Sequence, residues 1–503
     1  MKKIVLVPLD ERPVNYLYPN LIGEGDYEIC LPPRDYLGDK KKAGDVKKIS
    51  DWLVENSKDA DAVIVSIDTL IFGGIVPSRL HHETYETLHQ RIAVIPQIKK
   101  NNPKMKLFGF ELIMRCPGYN SAEEEPDYYE EYGSMIHRYG ECQHKESLGL
   151  LTEEEKEEFA KLKETLPKEY LDDYVNRRHL NTDLLLTNLE YVKEGVFDFF
   201  IVPQDDSTEY GFTILDQIRV RKYFADNHLE KVTAMYPSAD DTGLTMLARA
   251  VCTLNGYSPK IFVKYASEHG GECIPWFEDR ALDKTMNYQI SSAGAERVYS
   301  FEEADIVLGV TMVDEMLDFD NPRFHQVYEV QRDIPGFISF LKEALAKGKV
   351  VTIGDNSTAN GADHLVFDEL HKEGLLYQIH GYAAWNTSSN TLGTCICQSI
   401  VYYFYRDEKK NQEFLTYRYY EDCGYMTYTR EEVSKNYLPD LGLNYFKVDG
   451  KQGKVPPIIK KVLMNYMAEN YPEVAAKVSD IHVRQPWERM FETELKIDFK
   501  DEE

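Results

Sequence analysis

The sequence predicts an α/β protein, a (β/α)8-barrel-like parallel core with a helical insertion and a C-terminal extension. Three observations predict it. Short β-branched or aromatic runs recur along the chain, each leading through a polar loop into a segment with helical periodicity. The strongest runs, such as AVIVSI and FFIVP, are continuously apolar, as in parallel strands buried on both faces. Acids follow them: Asp10 and Glu11, Asp68, Asp205 and Asp206, and Asp240 and Asp241 come after four of the first five strands, and Glu111 lies within the third. In a barrel those carboxyl ends converge on one face, where such folds keep their chemistry. Nine or so strands are countable where a barrel needs eight, so the alternative is two doubly wound α/β domains.

Taken in order, the predicted strands of the first half are 3–8, 62–67, 106–112, 198–203 and 232–236. The fourth ends in the acid pair Asp205 and Asp206. The helix after it is predicted to bury Ile214, Leu215, Ile218 and Phe224, and the one after the fifth strand Leu244, Leu247, Ala248, Val251 and Leu254. Between the third and fourth strands lies an insertion, 120–195, opening on SAEEEPDYYEEYG. Its helix at 152–166 carries a capping box of Thr152 and Glu155. We read it as a mostly solvated helical face that forms a partial lid or wall of the site. The second half continues with runs at 260–265, 306–310, 350–353 and 378–383 and a weaker one at 297–299. From about residue 401 the chain becomes Tyr-rich and loses the alternation, apart from a helix expected near 458–469. The domains so drawn are 1–255, 256–400 and an extension over 401–503.

The formal net charge of -27 argues against nucleic acid or an anionic membrane as the main partner. The N-terminal apolar run is too short and too soon interrupted by Pro8 for an export signal, and no segment approaches the roughly 20 apolar residues of a membrane span. Eight cysteines without paired spacing suit reduced thiols, hence a cytoplasmic protein. The Cys395 and Cys397 pair is read as structural, and the 35 tyrosines suit either carbohydrate stacking or an interface.

Crowded carboxylates push one another's pKa values apart, so one can hold a proton as general acid beside an ionised neighbour, the requirement of glycoside hydrolysis. Arg12, Arg34, Arg79 and Arg115 supply counter-charge, and Asn15 joins the loop after the first strand. Two later loops, GDNSTANGAD with Asn356 and GYAAWNTSSNTLGT with Trp385, Asn386 and Asn390, place amides and hydroxyls directly after apolar strands. Turn chemistry accounts for the first loop as well as function does. No HExxH, GxxxxGK[ST], strand-linked GxGxxG or GxSxG occurs.

The motifs VPLDERPVNY, GGIVPSR after Asp68, VPQDDSTEYG, YPSADDTG and GYAAWNTSSNTLGT together resemble a bacterial family known as domain of unknown function 4127, over most of the chain. The adjacent aspartates after a fourth strand are also similar to the site of O-GlcNAcase-type hexosaminidases, in which the substrate's 2-acetamido oxygen attacks the anomeric carbon. That likeness implies that Asp205 orients the acetamido group and that Asp206 protonates the leaving oxygen and later activates water. It makes Tyr210, Asp240, Asp241, Trp385, Asn386 and Asn390 candidates for sugar contacts, beside Asp10, Arg12, Asn15, Asp68, Arg79, Glu111 and Asn356. The expectation is a glycosidase for 2-acetamido sugars that needs no cofactor and no nucleic-acid or membrane partner. The alternatives are a divalent-metal-dependent hydrolase or isomerase, using Asp10, Asp68, Asp205 and Asp240, and a non-enzymatic sugar- or metabolite-binding protein.

Overall fold

The computed structural model describes residues 1–500. Its parallel strands form two open sheets instead of one closed ring. Strands β1 (Lys2–Val7), β2 (Tyr27–Cys30), β3 (Ala62–Ser66), β4 (Lys106–Phe110), β5 (Phe199–Gln204) and β6 (Thr233–Pro237) pair in the order β2-β1-β3-β4-β5-β6. Strands β7 (Lys260–Tyr265), β8 (Glu296–Val298), β9 (Ile306–Val310), β10 (Val350–Gly354) and β11 (Gly381–Ala383) pair in the order β11-β10-β9-β7-β8. Every pairing within these sheets is parallel. The expected barrel is thereby corrected to its stated alternative of two sheets. The apolar runs β3, β5, β6, β9 and β10 are buried along their whole length, as the two-sided burial of parallel strands requires. Pro203 lies beyond the last β4–β5 pair, Phe110 with Ile201, so its missing N–H costs the ladder nothing there.

Counted from its own first strand, each sheet runs second, first, third, fourth, fifth, and the first adds a sixth. The order reverses beside β1 in one and beside β7 in the other, and open α/β sheets bind ligands at the carboxyl ends next to such reversals. The chain divides into two compact units. One comprises Met1–Glu11, Tyr27–Met246 and Phe277–Arg280, the other Arg12–Asp26, Leu247–Trp276 and Ala281–Glu503.

In the first unit the helix Glu153–Thr165 is the mostly solvated face expected, burying only Phe159 and Leu162, while the rest of the insertion packs inward. Its helices Tyr129–Leu148 and Lys168–Lys193 build a core cluster in which Tyr129, Ile136 and Tyr174 pack with Met114, Cys116 and Phe212. The capping box of Thr152 and Glu155 opens the helix Glu153–Thr165 as predicted. The helix Phe212–Asn227 buries Phe224 and packs Leu215 on this cluster as expected, but departs from the expectation at Ile218. Ile218 is exposed, whereas Asp216, paired with Arg178 at 2.6 Å, is buried beside Gln217 and Val220.

In the second unit the Tyr-rich tail is core. Tyr419, Tyr420 and Tyr425 are buried in a π-helical stretch, Tyr419–Thr429, which follows directly on the helix Glu408–Arg418. Arg418, wholly buried, holds Glu421 at 3.1 Å and Asp422, and Asp422 accepts the Ala384 N–H at 2.7 Å. The chain closes with an antiparallel hairpin of β12 (Val478–Arg484) and β13 (Glu494–Phe499).

Candidate functional site

At the carboxyl end of the first sheet two arginines are enclosed by four carboxylates. Arg79 reaches this point because the chain turns sharply after β3. Gly73 closes the helix Ile67–Phe72 in a left-handed conformation, φ 86°, and a Cβ there would stand 2.6 Å from the Gly44 nitrogen. A second short helix, Ile75–Ser78, then delivers Arg79, which is the physical content of the GGIVPSR motif. Its guanidinium contacts Asp205 Oδ2 at 2.5 Å, Glu124 Oε2 at 3.0 Å and Glu125 Oε1 at 3.3 Å. Arg115, five residues beyond the end of β4, contacts Glu125 Oε1 at 2.8 Å, Asp206 Oδ2 at 3.1 Å and Glu124 Oε2 at 3.3 Å. Glu124 and Glu125 thus each bridge both cations, and the predicted counter-charge to the acid pair comes from Arg79 and Arg115.

The two aspartates differ in setting. Asp205 is almost fully enclosed, its carboxylate clamped by Arg79. Asp206 keeps 25% of its side-chain surface accessible and has a left-handed backbone, φ 37°, a strain of the kind that collects at functional sites. Burial first, and then the charge of Asp205, push its carboxyl up to about 6, against the pull of Arg115 and Arg79.

Behind the arginines lie two buried carboxyls. Asp68 accepts the Leu112 N–H at 3.0 Å and is raised to about 7 by burial. Glu111 accepts from Asn188 Nδ2 at 2.8 Å and is raised well above the usual range by burial and by Asp68. Both are 2% exposed, so they support the cluster from within. Asp241 takes hydroxyl bonds from Ser238 at 2.7 Å and Thr245 at 3.2 Å at the start of the helix Thr242–Asn255, and Asp240 beside it is buried. Glu11 pairs with Arg34 at 3.4 Å next to buried Asp10. Tyr210 stacks toward the insertion, its ring 5.6 Å from His144 and 5.1 Å from the Lys145 ammonium.

The remaining expected residues belong to the second unit. Arg12 lies over the Trp487 ring at 4.3 Å, and Asn15 is buried in the short helix Pro13–Tyr16. Trp385 is a packing residue. Its indole N–H donates to Thr394 Oγ1 at 3.1 Å, its ring meets Tyr18 edge to face, and it is 5% exposed. Asn390 is buried on the helix Ser388–Tyr405, and Asn386 is half-buried with φ 52°. Asn356 binds Ser388. Cys395 and Cys397 are fully buried, and all eight cysteines are free. Among the described residues no group of three or more His, Cys, Asp or Glu side chains is arranged to hold a metal ion, and no helix is long and apolar enough to cross a membrane.

Sequence reasoning missed Glu124, Glu125 and Asn188. The first two stood in plain view as the acidic run soon after the third predicted strand, where acids can only be buried if cations meet them.

Fold and site define an α/β protein with a carboxylate–guanidinium cluster at the carboxyl end of a parallel sheet. The chain belongs to the family described as protein of unknown function (DUF4127), which matches residues 4–496. No curated protein matches it.

Proposed function

We propose that the protein is a glycosidase acting on 2-acetamido sugars by substrate-assisted, retaining hydrolysis. The observation that carries this reading is the asymmetry of two adjacent acids: Asp205 clamped by Arg79, and Asp206 partly accessible, on strained backbone, with its carboxyl raised to about 6. The substrate's acetamido oxygen attacks the anomeric carbon as the glycosidic C–O bond breaks, and Asp206 gives its proton to the leaving oxygen. Water then opens the cyclic intermediate, losing its proton to Asp206. Asp205 orients the acetamido N–H, with Arg79 fixing the position of its carboxylate. The test is release of chromophore from aryl 2-acetamido glycosides and plain hexosides, by the protein and by Asp206→Asn. Turnover confined to the 2-acetamido compounds and lost in the variant is expected, and silence across the panel from folded protein overturns the reading.

A second reading, ligand binding without turnover, draws support from the completeness of the ion pairing, since Arg79 and Arg115 already engage all four carboxylates. Under it Asp206→Asn weakens sugar binding measured by calorimetry, with no product formed by either protein.

A further inference from the structure

The loop that leaves β4 is tied to the insertion at residue after residue. The Arg115 carbonyl accepts from the Tyr174 hydroxyl at 2.8 Å and from Arg178 Nη1 at 2.9 Å. The Cys116 carbonyl meets His137 Nδ1 at 2.7 Å, and the Pro117 carbonyl accepts from the Tyr129 hydroxyl at 2.9 Å. Further on, Asn120 Oδ1 accepts the Ser134 N–H at 2.8 Å, and the Ala122 N–H donates to Glu130 at 2.8 Å. Gly133 permits the close approach, for a Cβ there would stand 2.5 Å from the Tyr119 carbonyl oxygen.

Tyr119 is thus held by its neighbours on both sides, and it carries the large side chain of this loop that stands in solvent, 48% exposed. Its two ends differ. Burial raises the phenol above its ordinary value, and the charges it faces are those of Arg115, Glu124, Asp206 and Glu125. The hydroxyl end therefore turns into the carboxylate–guanidinium cluster while the ring lies open beside it. Arg115 holds Asp206, whereas Asp205 is held by Arg79, so Tyr119 stands on the Asp206 side of the pair. That is also the side on which the pair is accessible, since Asp206 keeps 25% of its side-chain surface and Asp205 half as much.

We propose that the Tyr119 ring is the platform on which the leaving group of the substrate lies, so that the protein selects 2-acetamido glycosides whose leaving group is itself a ring, a second sugar or an aryl group. The inference rests on the glycosidase reading, in which Asp206 serves the leaving oxygen and Asp205 the acetamido group. A sugar ring offers a face of C–H groups and an aryl group a π face. Either packs flat on a tyrosine, and a methyl leaving group has no such surface to offer. Because the loop is already fixed, the contact costs little ordering of the protein.

Competition against an aryl 2-acetamido glycoside tests it, with the benzyl and methyl glycosides of N-acetyl-β-glucosamine as competitors for the full-length protein, Tyr119→Ala and Tyr119→Phe. In the parent protein the benzyl compound is expected to give an inhibition constant about tenfold lower than the methyl compound. Tyr119→Ala brings the two constants within about twofold, and Tyr119→Phe keeps them apart. The inference is overturned if the parent does not distinguish the two competitors, or if Tyr119→Ala weakens both alike or neither, since the tyrosine then acts on the charge cluster or not at all. Tyr119→Phe behaving as Tyr119→Ala overturns it too, by assigning the effect to the hydroxyl. Each of these results leaves the glycosidase reading standing, because the parent still turns over the aryl glycoside. A folded parent that releases no aglycone removes that reading, and this one with it.

Discussion

At the carboxyl end of the first sheet two arginines meet four carboxylates, whereas at the corresponding end of the second a single arginine, Arg332, meets Asp363 among hydroxyls and amides. The strand order is shared and the chemistry is not. Loops make the difference. The first sheet takes Glu124 and Glu125 from an insertion, which lets it bury two guanidinium groups with their counter-charge. The second builds its floor from the short loop after β10, where hydroxyl and backbone donors satisfy Asp355 without a cation. In one site two cations are shared among four acids and Asp206 stays accessible. In the other charge is scarce and the carboxylates are sealed in.

The largest expected difference between the two is in turnover. Asp206→Asn lowers aryl-glycoside hydrolysis by about 10²–10⁴-fold, the range for a general acid, whereas Asn360→Ala, in the loop after β10, leaves the rate on a saturating substrate within about twofold. The proposed mechanism needs Asp206 protonated, so it predicts that kcat/KM measured from acid to alkaline pH falls as pH rises through about 6.

Next in size is the effect on stability of removing a cation. Arg79→Met leaves Asp205, Glu124 and Glu125 short of counter-charge and should cost about 3–5 kcal/mol in urea denaturation. Arg332→Met should cost less in the same assay, because Asp363 keeps the Ser357 hydroxyl.

Asp68 makes stability depend on pH. Its folded-state pKa, about 7, lies above the unfolded value near 3.8, so the folded form binds more protons between these limits and stability falls as pH rises through that window. Asp68→Asn should flatten the dependence between about pH 4 and pH 7 by a few kcal/mol. A slope unchanged in the variant places the titration elsewhere, with Asp355 of the second site, also raised to about 7 by burial, as the next group to test. The smallest effect is that of Tyr382→Phe, which removes one of the hydrogen bonds to Asp355 and should cost about 1 kcal/mol by denaturation.

Most of the parallel strands were legible because a strand buried on both faces has to be written as a continuous apolar run, a pattern carried by neighbouring residues alone. Edge strand β2, YEIC, escaped notice because it is short and half-exposed, and the β12–β13 hairpin because its burial is uneven. The acids at the strand ends and the arginines that neutralise them were also readable, and Arg79 and Arg115 do meet Asp205 and Asp206. On Phe212–Asn227 only the expected burial of Ile218 fails, because burial on that side follows the Arg178–Asp216 pair, and no apolar pattern encodes a partner 38 residues away.

The sequence by itself determined the α/β class, the positions of the strands and the placing of acids after them, since each depends on local periodicity and turn chemistry. Only the tertiary structure decided that the strands part into two sheets, that Glu124 and Glu125 enclose two arginines, and that Trp385 is spent on packing. Pairing order and the burial of a charge are set by contacts between residues far apart in the chain, and there desolvation makes a carboxylate admissible only where its cation has already been placed.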